Sequence, residues 1–116
     1  MNKLNVRKTK KAVEKGWEYV KSLKGRRKLY DAATLEAILM QLEEALNGNY
    51  KTTEQKYFCI ANEIESDFNW RIKLLVHKGL DMEPNEYKIF WSILEEVLQD
   101  YTGEDYILTE DDMELA

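Results

Sequence analysis

Apolar residues recur along this chain at three- and four-residue steps, the spacing that lines side chains along one face of a helix. Over 7–24, Val13, Trp17, Val20 and Lys24 fall at i, i+4, i+7 and i+11, with Leu23 beside them. Arg7, Lys8, Lys10, Lys11, Lys15 and Lys21 cover the rest of that segment, and Gly25 follows as a stop. Gly16 inside it costs about 1 kcal/mol against alanine. A second helix is predicted over 32–46, with Asp31 as N-cap and a clean stripe of Leu35, Ile38, Leu39, Leu42 and Leu46. Asn47-Gly48 ends it. That dipeptide also suits a hairpin turn, but its flanks have helical rather than alternating period.

A long third helix is predicted over 54–78, opened by the capping-box spacing of Thr52 and Gln55, with Thr53 as an alternative cap. Tyr57, Ala61, Ile64, Phe68, Ile72 and Leu75 form its stripe, and Trp70, Leu74 and Val76 widen it. Ser66-Asp67, both weaker helix formers, mark a place where this helix could bend. A fourth helix is predicted over 84–102, with Pro84 in its first turn and Gly103 as its stop. Tyr87, Phe90, Trp91, Leu94, Val97, Leu98 and Tyr101 make its apolar face. The pattern therefore predicts an all-α fold, a single domain of four helices packed as two antiparallel hairpins. Residues 1–103 form the helical domain and 104–116 an acidic tail, with a short fifth helix there as the alternative to a mobile segment.

Composition narrows the class further. A chain of 116 residues suits one domain. One Pro and five Gly are too few for a sandwich or barrel, and one Cys excludes a disulfide framework and a cysteine zinc site. No apolar run approaches the ~18 residues of a membrane span, and the first residues lack the apolar stretch of a secretory signal. A soluble, cytoplasmic protein without membrane contact is expected.

Candidate catalytic residues are sparse. His77 is the only histidine and has no orienting partner nearby in sequence, so a helix-terminal structural role is expected. Cys59 lacks a base and reads as a small buried apolar residue. Glu63 with Asp67, and Glu96 with Asp100, are i, i+4 carboxylate pairs. They lack the Glu-x-x-His elements of carboxylate-bridged bundles and read as solvated helix faces. Neither a phosphate-binding glycine loop nor a serine nucleophile elbow is present. No enzyme activity, cofactor or metal is expected.

Charge placement is more informative than the net value of −5. Residues 1–30 hold 11 Lys and Arg against 2 Glu, whereas residues 95–116 hold 9 acids and no base. The body between them, residues 31–94, carries −5. The acidic patch Glu104, Asp105, Glu110, Asp111 and Asp112 is interleaved with Tyr106, Ile107, Leu108 and Met113, a pattern of interaction segments. Trp70 and Tyr87 fall slightly off the main stripes of their helices; with Tyr106 they are aromatic anchors that, together with the acidic patch, suggest a small interaction protein. Such a protein would dock on a protein target with a basic surface and inhibit or regulate it. Small acidic helical proteins without motifs are common among phage and mobile-element products that block host machinery, anti-CRISPR proteins included; composition is the only ground for that setting. The alternative is an accessory nucleic-acid-binding protein. In it Lys8, Lys11, Lys15, Arg26, Arg27 and Lys28 grip phosphates, and Tyr19 and Tyr30 stack on bases. Against it stands a pI of about 5.0. The basic block could instead meet the protein's own acidic surface, within the chain or in a homodimer.

Overall fold

Four helices account for nearly all of the residues that the computed structural model describes, namely 3–22, 29–78 and 85–103, with side chains described except at 29–32, 72–78 and 85–87. In chain order they are α1 (Val6–Ser22), α2 (Leu29–Asn47), α3 (Thr53–Lys78) and α4 (Asn85–Thr102). They pack as the expected four-helix bundle around one core. The Gly25 stop, Pro84 and the whole 104–116 segment lie outside the described residues.

The helix ends show which caps operate. Asn5 caps α1: its Oδ1 accepts the Lys8 N–H at 3.0 Å, and Thr9 returns its hydroxyl to the Asn5 carbonyl at 2.9 Å. Asp31 is not a cap, because α2 already begins at Leu29. Thr52 caps α3 by accepting the Gln55 N–H at 3.0 Å. Gln55 reaches back to the Lys51 N–H at 3.1 Å rather than to that of Thr52, so the capping box is shifted by one residue. The helix runs unbroken through Ser66-Asp67. At the end of α4, Gly103 takes φ 76° and donates its N–H to the Gln99 carbonyl at 2.7 Å, the left-handed closure that glycine permits without strain.

The five-residue connection 48–52 makes α2 and α3 neighbours, with the Tyr50 hydroxyl bonded to the Ala45 carbonyl. α1 runs antiparallel to α4: Lys8 near its start pairs with Glu96, and Gly16 further along lies against Phe90. Among the described residues the α1–α4 seam is the most extensive and the α3–α4 seam the sparsest.

Gly16 explains why α1 sits so deep. It is buried, and the inner face of α1 runs through Thr9, Ala12, Val13, Gly16, Tyr19 and Val20. A Cβ on Gly16 would lie 2.5 Å from Leu39 Cδ2 and 3.2 Å from the Phe90 ring. Glycine therefore lets α1 approach α2 and α4 at one point. Gly16→Ala gains about 1 kcal/mol of helix propensity but overpacks a closed core, which costs about 1–3 kcal/mol. A net loss of about 1 kcal/mol is expected in urea denaturation; a variant more stable than the parent would show that the notch is not tight.

This inner face is rotated from the stripe expected for the first helix. Trp17 stands at its margin, half-buried, and donates its indole N–H to Glu43 of α2. Tyr19 lies in the core, so its ring is not available to stack on a base. Leu4, ahead of the helix, is buried as well.

Candidate functional site

Among the described residues the α2–α3 seam gathers the features that core packing does not use. Toward the N-terminal end of α2, a groove of about 300 Å³ is lined by Ala33, Thr34, Ala37, Ile38, Gln41 and Trp70. Alanines leave the α2 wall low, while Trp70 of α3 is 42 % exposed. Its position off the main stripe had marked it as an anchor. The other exposed large apolar side chains, Met40, Phe58 and Ile89, do not line this groove.

Glu44 of α2 and Glu63 of α3 lie on the same seam, near enough for the charge of one to act on the other. Burial holds the Glu63 carboxyl above its ordinary range, and the like charge of Glu44 adds to the effect. Neither carboxylate has an ion-pair partner among the described residues. Burial, with smaller contributions from the neighbouring Cys59 and the Glu63 carboxylate, also raises the Tyr50 hydroxyl.

Asp67 follows Glu63 by one turn and corrects an expectation. It is not on a solvated face: its exposure is 0 %, and neither carboxyl oxygen has a hydrogen-bond partner among the described residues. Burial pushes its pKa to about 9, with Glu63 contributing in the same direction. The carboxyl is therefore protonated at neutral pH. The signal was in the sequence, because Asp67 lies at i+3 from Ile64 and i+7 from Ile60, on the buried stripe. The other pair, Glu96 and Asp100, is exposed.

The basic block is partly engaged by the protein's own carboxylates. Lys8 pairs with Glu96; that hydrogen bond, helped by the charges of Glu96 and Asp100, raises its pKa. Lys15 meets Glu18 at 3.4 Å, and Lys11 is exposed. At the end of the bundle where α1 begins, Lys3, Arg7 and Tyr57 contribute to a second hollow of about 440 Å³.

Several expected site residues lie outside the described part. They are Arg26, Arg27 and Lys28 of the basic block, Glu104, Asp105, Glu110, Asp111 and Asp112 of the acidic patch, and Tyr106. Tyr87 and His77 fall within helices, but their side chains are outside the described residues, as is that of Tyr30. Cys59 is half-buried rather than buried. No three His, Cys, Asp or Glu residues among those described are grouped to hold a metal ion, and no described helix is long and apolar enough to cross a membrane. No known protein family, curated protein or solved structure matches the chain.

Proposed function

We propose that this chain is a small non-enzymatic interaction protein that docks on a protein with a basic surface and inhibits or regulates it. The observation that carries the reading is Trp70, a large aromatic side chain left 42 % exposed beside a groove although the fold has a well-filled core. Exposed tryptophan is enriched at binding hot spots because it buries a large area at little entropic cost. The acidic segment 104–116, with six carboxylates and no cation, supplies attraction toward a basic partner. Phage and mobile-element inhibitors remain the setting that size and composition suggest.

The nucleic-acid alternative draws less support. Lys8 and Lys15 already meet carboxylates, and Tyr19 is enclosed. Capture of partners from host lysate, with and without nuclease, separates the two readings. A nuclease-resistant protein partner is expected, with recovery falling at least about tenfold when Glu104, Asp105, Asp111 and Asp112 are changed to lysine. Recovery that vanishes with nuclease, or that is indifferent to the charge reversal, overturns the proposal.

A further inference from the structure

We infer that the α2–α3 seam is a docking groove for an amphipathic helix that carries one large apolar side chain and, two turns away, a lysine or arginine. The inference rests on the interaction-protein reading above and assigns it a place and a partner chemistry.

Two independent features of the seam complement the two ends of such a helix. At one end the groove of about 300 Å³ is bounded by Trp70 on α3 and by Ala33 and Ala37 on α2. It has room for one large apolar side chain, and the alanines let a partner backbone approach closely. This is the arrangement in which an amphipathic helix lays its apolar face between two helices. At the other end stand Glu44 and Glu63, two carboxylates close enough to repel, with no ion pair among the described residues. Such a pair is relieved by a cation placed between its members, a gain that grows as the partner excludes water.

The spacing joins the two features. Glu63 precedes Trp70 by seven residues on α3, two turns or about 10 Å along the axis. Glu44 lies one turn beyond Gln41, which lines the groove on α2. A docked helix running along the seam has the same rise per residue, so a cation seven positions from its apolar anchor comes level with the carboxylates. The described cation on this stretch of α3 nearest in sequence to Glu63 is Lys56, two turns before it, and it makes no ion pair with either carboxylate. Asp67, buried one turn after Glu63, is protonated at neutral pH and adds no competing charge.

The test uses the full chain and three alanine-based helical peptides. One carries leucine and, seven residues on, arginine; the second has glutamate in place of arginine; the third has alanine in place of leucine. Backbone amide shifts are followed by NMR during titration. The arginine peptide is expected to perturb 33–44 and 63–70 and to bind at least about tenfold more tightly than either control. Trp70→Ala and the double change Glu44→Gln with Glu63→Gln are each expected to weaken it about tenfold. An unchanged dispersion of the remaining amide signals verifies that each variant is folded. The inference is overturned if the peptides bind alike, if the shifts fall elsewhere, or if the variants bind as the parent does. A captured partner that survives Trp70→Ala but is lost on charge reversal of 104–116 sinks the groove while sparing the interaction-protein reading; the absence of any protein partner sinks that reading itself.

Discussion

Replacing Asp67 with asparagine is expected to stabilise the fold at pH 7 by about 2–4 kcal/mol while leaving it almost unchanged at pH 4. The reason is linkage. Burial raises the Asp67 pKa from 3.8 to about 9, so the folded chain holds a proton that the unfolded chain releases. A raised pKa contributes stability that is fully present below the unfolded value. It is lost as pH climbs toward the folded value, up to about 1.4 kcal/mol per unit. The window is therefore about pH 4 to pH 9. At pH 7 the accumulated loss is about 4 kcal/mol, a large share of the roughly 5–15 kcal/mol that holds a small domain together.

The groups around Asp67 do not cancel this effect. Glu63, one turn before it, and Glu44 across the seam are both acidic. Arg71, one turn after it, places its guanidinium over Trp91 and acts on Glu95 of α4. Burial holds Glu63 and Glu95 above their ordinary range as well, so they tilt stability in the same direction. They do so in both proteins, and the difference between parent and variant isolates Asp67. Urea denaturation at pH 4, 7 and 8.5 measures it. Parallel stability curves for parent and Asp67→Asn would falsify the assignment.

Truncating Trp91 is the second large effect, in the opposite direction. Trp91 is fully buried and is the largest enclosed side chain described. Its ring centroid lies 5.4 Å from that of Phe68 and 4.8 Å from that of Phe90, and the Arg71 guanidinium stands 5.6 Å from its centre. Phe68 and Arg71 belong to α3, so the indole bridges the sparsest seam of the bundle. Burying about 200 Å² of aromatic surface at about 25 cal/mol per Å² is worth about 5 kcal/mol. Trp91→Ala is accordingly expected to lose about 3–5 kcal/mol in urea denaturation, with the amides of α3 facing α4 losing protection first. Arg71→Ala, which removes the cation over the ring together with its charge near Glu95, is expected to lose about 1 kcal/mol. A loss below about 1 kcal/mol for Trp91→Ala would mean that the ring's space refills from neighbouring side chains.

Apolar periodicity carried most of the fold. The stripes of Leu35, Ile38, Leu39, Leu42 and Leu46, and of Phe90, Trp91, Leu94, Val97, Leu98 and Tyr101, are buried as their spacing requires. Two of the residues that periodicity missed share one cause: the buried residue was not apolar. Gly16 has no side chain to announce itself, so the first stripe was drawn through Trp17 instead, one residue around the helix. Asp67 was read through its charge and its i, i+4 relation to Glu63 rather than through its register with Ile60 and Ile64. Asp31 looked like a cap because its residue type favours caps, yet α2 starts two residues earlier. Trp70 was legible as an anchor because it departs from the stripe. The groove beside it was not, because Ala33 and Ala37 matter there for what they leave empty.

The notch at Gly16 also separates two kinds of change that this chain can tolerate over descent. The inner face of α1 is fixed by a contact that admits no added carbon without displacing Leu39 or Phe90. The outer face, with Arg7, Lys10, Lys11, Glu14 and Glu18, is exposed, and substitutions there usually fall within about ±0.5 kcal/mol. Charge on α1 can therefore drift or reverse with a changing partner while the helix stays seated. Diverged copies of this protein would keep the glycine and lose the lysines.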